Sequence, residues 1–173
     1  NMLDILLQLQ HADGSFPRKF HDDFTVVDDS GGSTPSATLP LIMGYKYFKD
    51  KRYLASAKRT ADYLEKVLIS KADYFSSTLD ANCEDKEASL YAATATYYLS
   101  LITKGDEHRH YADLTRKAAY FALSWYYVWD VPFAQGQMLG DIGLKTRGWG
   151  NVSVENNHID AFVFEFASVL QWL

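Results

Sequence analysis

The stretch YLASAKRTADYLEKVL, residues 53–68, decides the fold class of this 173-residue chain. Its apolar side chains recur every three or four residues, which places them on one face of an α-helix and leaves a charged face opposite. The same spacing returns 57 residues later. The matched positions are Leu54, Ala57, Ala61, Leu64 and Leu68 in the first helix and Tyr111, Leu114, Ala118, Phe121 and Trp125 in the second. The pattern therefore predicts a repeated helix with one side in water.

An uncharged segment precedes each of these helices. Residues 35–45 and 88–103 carry no charged side chain, which predicts helices that are buried on most sides. Pro40 lies inside the first segment and predicts a kink or a late helix start. Residues 158–172 predict another buried helix, and residues 2–10 predict the end of an earlier exposed one.

Buried and half-exposed helices thus alternate along the chain, which predicts an inner layer that touches no water and an outer layer with one wet side. A repeat of this kind is typical of solenoids and of closed arrays of helices. We predict an all-α fold, an α/α toroid of helical hairpins, in which residues 1–173 form a single domain. An open bundle of helical hairpins, or a chance match between two amphipathic helices, is the alternative.

The links between the predicted helices differ in length. Those within a pair are short and polar, whereas those between pairs are long and cover about 11–34, 70–83 and 128–157. Antiparallel helices would place all the long links at one end of the molecule. Long irregular loops gathered on one face usually carry the binding and catalytic residues.

Composition narrows the class of function. The net charge of −5 disfavours a nucleic-acid partner, and no apolar run is long enough for a membrane span. The single cysteine, Cys83, excludes a disulfide within the chain and a multi-cysteine metal site. The 12 Tyr, 10 Phe and 4 Trp suit a neutral, partly apolar ligand better than a polyanion. Neither end shows a helix cap or a signal peptide, so we expect a piece of a longer polypeptide.

Three sequence elements resemble a known superfamily when they are taken with the two-layer pattern. They are Gln10-x-x-Asp13-Gly14-Ser15-Phe16-Pro17, Tyr53-Leu54-x-x-Ala57-x-x-x-Ala61-x-Tyr63-Leu64 and Cys83-Glu84-Asp85-Lys86-Glu87-Ala88. The chain resembles the six-hairpin glycosidases, which are (α/α)6 toroids of carbohydrate-active enzymes with the active site at the long-loop end. The resemblance implies about half of such a ring in this chain, with the rest supplied by missing sequence or by another chain. It also implies a secreted or periplasmic location.

The resemblance implies a glycoside hydrolase that acts on an oligosaccharide or polysaccharide with two carboxyl groups. Glu155 is the predicted acid, because it is the sole charge between Arg147 and His158, and apolar neighbours would raise its pKa. Asp85 or Glu84 is the predicted base that activates water. Asp85 also fits a helix cap, with Asn82 as the N-cap residue three positions earlier.

Further loop residues are predicted to hold the sugar. Aromatic rings would stack on sugar faces, and Arg or His would bind hydroxyl groups or a uronate carboxylate. The predicted substrate-binding residues are Asp13, Phe16, Arg18, Asp80, Arg147, Trp149, Asn156 and His158, with Trp129 as a further stacking candidate. We expect no metal site and no cofactor.

Other functions remain open at this point. A non-catalytic glycan-binding fragment would keep the toroid without the acid–base pair, and a polysaccharide lyase is a close enzymatic alternative. The Gln-x-x-Asp-Gly-x-aromatic element also occurs in terpenoid cyclases and prenyltransferases, which share the toroid. A terpenoid cyclase-like protein would need an Asp-rich cation site, for which only Asp22-Asp23 and Asp28-Asp29 are candidates.

Overall fold

The computed structural model describes residues 2–75, 83–154 and 166–173 and the backbone of residues 159–160. Helices dominate these residues, which confirms the predicted all-α class. The helices are α1 (Met2–Leu9), α2 (Thr34–Phe48), α3 (Lys51–Tyr63), α4 (Lys86–Ile102), α5 (Gly105–Leu123), α6 (Met138–Asp141) and α7 (Phe166–Trp172), and a π-helical segment (Leu64–Ile69) continues α3. Two short antiparallel pairs add strands β1 (Lys19–Phe20), β2 (Val26–Asp28), β3 (Gly150–Asn151) and β4 (Ile159–Asp160).

Two helical hairpins form the centre of the structure. A two-residue link joins α2 to α3, and its Asp50 side chain caps α3 by accepting a hydrogen bond from the Arg52 N–H at 2.9 Å. An equally short link joins α4 to α5. Links this short force each pair to pack antiparallel. The hairpins lie side by side through α2 and α4, and α7 packs against α4.

The helices occupy two layers, with α2, α4 and α7 in one and α1, α3 and α5 in the other. Salt bridges join neighbours in the second layer, Lys58 to Glu107 at 2.5 Å and Glu65 to His110 at 3.0 Å. The apolar face of each repeated helix points between the layers, as predicted. Its buried members are Ala57, Ala61, Leu64 and Leu68 in the first repeat and Tyr111, Leu114 and Ala118 in the second.

The inner-layer helices are wetter than predicted. Tyr47 and Met43 of α2 are 81% and 38% exposed, and Leu101 of α4 is 54% exposed. The expectation of an inner layer that touches no water is therefore wrong for this chain. The segments 35–45 and 88–103 carry no charge, and an uncharged side of each nevertheless faces solvent.

Two helix boundaries differ from the predictions. Helix α2 begins at Thr34 and continues through Pro40, so the predicted late start is wrong. Pro35 in its first turn favours this start, because the first turn needs no N–H from that residue. The predicted helix over 158–172 is also wrong at its beginning, where Ile159–Asp160 forms a strand with Gly150–Asn151.

The loops that connect the hairpins are anchored near the C-terminal end of α3. In the first loop, Gly14 packs so closely on α3 that a Cβ there would lie 2.1 Å from the Arg59 carbonyl oxygen. In the second loop, the Asp85 N–H donates to the Tyr74 carbonyl at 2.9 Å, just before α4 begins. No helix in the described part of the chain has both the length and the hydrophobicity of a membrane span.

Candidate functional site

Residues 148–154, called here the rim segment, run along the loop-bearing end between two other stretches of backbone. On one side lies the aromatic segment, residues 125–129 (WYYVW). Its hydrogen bonds to the rim segment are Gly148 N–H to Tyr127 O (2.8 Å), Tyr127 N–H to Trp149 O (2.9 Å) and Asn151 N–H to Trp125 O (3.0 Å). This pairing fixes the aromatic segment after the end of α5.

On its other side, the rim segment pairs with the residues that begin α4. The Lys86 N–H donates to the Val152 carbonyl at 3.0 Å, and the Val154 N–H donates to the Glu84 carbonyl at 3.2 Å. The six residues from Trp149 to Val154 span at most about 17 Å at the rise of an extended chain. The backbone of the rim segment therefore joins the aromatic segment to Glu84.

A cleft of about 410 Å³ opens beside the aromatic segment and is called here the aromatic cleft. Its walls are mostly apolar and aromatic, which is typical of small-molecule sites. The lining residues are Leu123, Tyr126, Tyr127, Val128, Arg147, Gly148 and Leu170. Arg147 was predicted from the sequence, but both tyrosines were missed. The run of aromatic residues at 125–129 was a signal that could have indicated them.

A second cleft, of about 300 Å³, lies on the other side of the same two tyrosines. Trp129 lines it and is 62% exposed, so its ring is accessible from solvent. Trp125, Ser124 and Asn151 complete its walls. Both clefts share Tyr126 and Tyr127 in their walls.

Lys86 packs against the Tyr126 ring of the aromatic segment. It is fully buried, and its ammonium lies 5.5 Å from the centroid of the Tyr126 ring. This distance is within the range of a cation–π interaction. A Cβ at Gly150 would lie 3.1 Å from the Lys86 Nζ, so the small residue in the rim segment leaves room for the lysine. Sequence analysis did not single out Lys86.

Glu84 is a half-buried carboxyl at the opposite end of the rim segment. Burial raises its pKa, and the nearby carboxylates of Asp73 and Asp85 act in the same direction. The Tyr74 N–H opposes the shift, because it donates to both carboxylate oxygens at 3.1 and 3.0 Å. The net shift of the Glu84 pKa is upward, which is the direction that a proton donor requires.

Asp85 is fully buried and serves as the N-cap of α4. Its Oδ1 accepts a hydrogen bond from the Glu87 N–H at 2.7 Å. The predicted N-cap at Asn82 is therefore wrong, since α4 begins at Lys86, directly after Asp85. Capping of α4 is therefore one role of Asp85.

The predicted residues of the first loop make contacts that hold that loop, and Asp13 also lines one cleft and Phe16 and Arg18 another. Asp13 accepts hydrogen bonds from the Ser15 hydroxyl (2.7 Å) and N–H (3.0 Å), and these bonds lower its pKa. Phe16 is 3% exposed and belongs to the core. The buried Arg18 guanidinium pairs with Asp28 at 3.3 Å.

Gln10 joins the first loop to α3 and was quoted in the sequence motif without a role. Its Nε2 donates to the carbonyl oxygens of Gly14 (3.2 Å) and Ser56 (3.0 Å) and to the Thr60 hydroxyl (3.0 Å). Its Oε1 accepts from the Ser56 hydroxyl at 2.7 Å. The Gln-x-x-Asp-Gly element is thus a structural clamp in this protein.

The structure places Arg147 and Trp149 at one end of the rim segment and Glu84 and Asp85 near the other, whereas the first loop packs on α3. The predicted residues Glu155, Asp80, Asn156 and His158 lie outside the described part of the chain. Within residues 2–75, 83–154 and 166–173, no three His, Cys, Asp or Glu side chains are arranged to hold a metal ion.

Comparisons with known proteins found no match. No protein-family model, no curated protein and no solved structure matches the chain.

Proposed function

We propose that this protein is a carbohydrate-active enzyme of the glycoside hydrolase type, which binds an oligosaccharide or polysaccharide across the aromatic segment. The observation that carries the proposal is the pair of clefts around Tyr126 and Tyr127, which the rim segment joins through backbone hydrogen bonds to the half-buried Glu84. Accessible aromatic rings and a nearby carboxyl with a raised pKa are the two features that sugar binding and glycoside cleavage require together.

The proposed architecture is part of an α/α toroid. Its support is the alternation of outer and inner helices and the lateral packing of α2, α4 and α7 in one layer. The exposed apolar side chains of Tyr47 and Leu101 also support it, because further hairpins across a ring would cover this side of the inner layer. Those hairpins would come from further sequence or from another chain.

In the proposed complex, the sugar chain lies on the tyrosines and on Trp129. The aromatic rings offer apolar faces to the C–H groups of a sugar, and the Tyr hydroxyl and Trp N–H offer polar edges. The cleft of about 410 Å³ falls within the size range of small-molecule sites and would take part of a chain rather than the whole of it.

In the proposed reaction, Glu84 is the general acid that protonates the leaving glycosidic oxygen. Its raised pKa favours this role over the base role predicted from sequence. Asp85 has no part in the proposed chemistry, because it is fully buried and caps α4. Glu155 remains the candidate for the second carboxyl. An inverting reaction would need the two carboxyls about 6.5–9.5 Å apart.

Binding and cleavage on a panel of oligosaccharides test this proposal. Tyr127→Ala should weaken binding, whereas Tyr120→Ala removes an exposed tyrosine from α5 and should not. Glu84→Gln should abolish cleavage while binding persists, and Glu107→Gln on α5 is its matched control. Full turnover in Glu84→Gln would overturn the assignment of the acid. Absence of binding to every glycan would overturn the function itself.

A non-catalytic glycan-binding protein is the second candidate. The observation that favours it concerns the carboxyl groups of Glu84 and Asp85, which both accept hydrogen bonds from backbone N–H groups. Glu84 accepts from the Tyr74 N–H, and Asp85 accepts from the Glu87 N–H. This candidate would be favoured if the unmodified protein bound oligosaccharides of the panel but released no product from any of them.

A further inference from the structure

We infer that the aromatic cleft is specific for an acidic sugar, with Arg147 binding the carboxylate of a uronate residue. The inference rests on the proposed function and narrows its substrate class. It assigns binding of an anionic sugar to one cleft of a protein whose net charge is −5.

The wall of the aromatic cleft carries one cationic side chain. Among the described residues that line it, Arg147 is the only charged one. The Lys86 ammonium lies 5.5 Å from the centroid of the Tyr126 ring. The field of an exposed charge is screened within about 8 Å at physiological ionic strength, so distant surface carboxylates contribute little at Arg147, whereas the Asp130 carboxylate, 3.8 Å from its guanidinium, does contribute.

The neighbours of Arg147 leave its side chain open to a ligand. The side chain is 71% exposed, and its guanidinium forms a long salt bridge of 3.8 Å with the Asp130 Oδ2, a distance beyond an ordinary hydrogen bond. The other oxygen of Asp130 accepts the N–H groups of Thr146 and Arg147, each at 3.1 Å. Asp130 therefore fixes the backbone that carries Arg147. Lys145, at 3.9 Å from the same carboxylate, lines a different cleft.

A uronate fits this arrangement better than a neutral sugar or a polyanion. Arg binds a carboxylate through two parallel N–H donors, and the apolar faces of Tyr126 and Tyr127 suit the rest of the sugar ring. A densely charged ligand would meet a single cation, Arg147, among the described residues that line the cleft, and the net charge of −5 on the protein would repel it. The cleft thus suits a sugar that carries one carboxylate and stacks the rest of its ring on the tyrosines.

The test uses a uronic acid oligosaccharide and its methyl ester, which has the same size and stereochemistry but no charge. Calorimetric titration of the whole chain should show about tenfold tighter binding of the free acid, since charge-assisted hydrogen bonds are worth that much. Added salt should reduce this preference. Arg147→Gln should bring the affinity for the acid close to that for the ester, and Arg147→Lys should keep part of the preference.

Lys145→Gln is the matched control, because it removes a cation from the same loop but not from the aromatic cleft. It should keep the preference for the acid. Equal binding of acid and ester by the unmodified protein, or an unchanged preference in Arg147→Gln, would overturn the inference and leave the proposed function standing. Failure of both oligosaccharides and of every neutral glycan to bind would overturn the two together.

Discussion

Replacement of Gly14 by alanine should destabilise the protein severely, because Gly14 is where the first loop meets α3. Its φ of +94° lies in a region that residues with a Cβ rarely adopt. A Cβ there would lie 2.1 Å from the Arg59 carbonyl oxygen, whereas ordinary contact begins at 3.4 Å. The loop would have to retreat by about 1.3 Å from a rigid helix backbone.

The cost has two parts. The left-handed backbone of an alanine costs about 1–2 kcal/mol. Retreat of the loop also stretches the bonds that Gln10 makes to Gly14 and to α3, at about 1 kcal/mol for each bond lost. The sum is about 3–4 kcal/mol. For a domain of this size it corresponds to a fall in melting temperature of about 10 °C.

Circular dichroism melts and urea denaturation measure this loss. The matched control is Gly143→Ala, because Gly143 has a φ of +64° but no atom within 4 Å of a built Cβ. It should lose only the backbone part, about 1–2 kcal/mol. Equal losses in the two variants would refute the reasoning that close contact with Arg59, rather than backbone conformation, fixes the first loop.

Three further predictions concern the clamp, the cap and the buried carboxyl. Gln10→Leu should lower the free energy of unfolding by about 2–4 kcal/mol, whereas Gln8→Leu, at an exposed position of α1, should change it by less than about 0.5 kcal/mol. Similar urea midpoints for the two would contradict the clamp. Asp85→Ala should cost about 1–2 kcal/mol through loss of the α4 cap, and Asp85→Ser should restore most of it in thermal melts. If Ser melts no higher than Ala, the cap is not what Asp85 supplies. The folded-state pKa of Glu84 is raised above 4.5, so its contribution to stability is present below that pH and is lost as pH rises through the folded value. Glu84→Gln should therefore flatten the pH dependence of stability from about pH 4.5 upward, and parallel curves for the two proteins would contradict this.

Local periodicity predicted the helices well because their burial follows from spacing alone. Ala57, Ala61 and Leu64 recur on one face and are buried, and charge on the opposite face marked the outer layer correctly. The strand pairs β1–β2 and β3–β4 left no comparable signal. They contain two or three residues per strand and form only because tertiary contacts bring the loops together.

The site was harder to predict, because exposure of a loop side chain depends on distant parts of the chain. Phe16 and Trp129 looked equivalent as stacking candidates, yet Phe16 is 3% exposed and Trp129 is 62% exposed. Lys86 was quoted from the sequence without a role, and its contacts with Tyr126 and Gly150 lie in a part of the structure that buries it fully. No local pattern of the sequence encodes those contacts.

The most direct test of the central claim is a backbone NMR titration of the protein with the uronic acid oligosaccharide. The account predicts chemical-shift changes confined to the aromatic segment, Arg147 and the rim segment, with side-chain changes at Trp129 and Glu84. Shifts that instead cluster on the first loop around Asp13 and Arg18, or on the outer faces of α3 and α5, would contradict it.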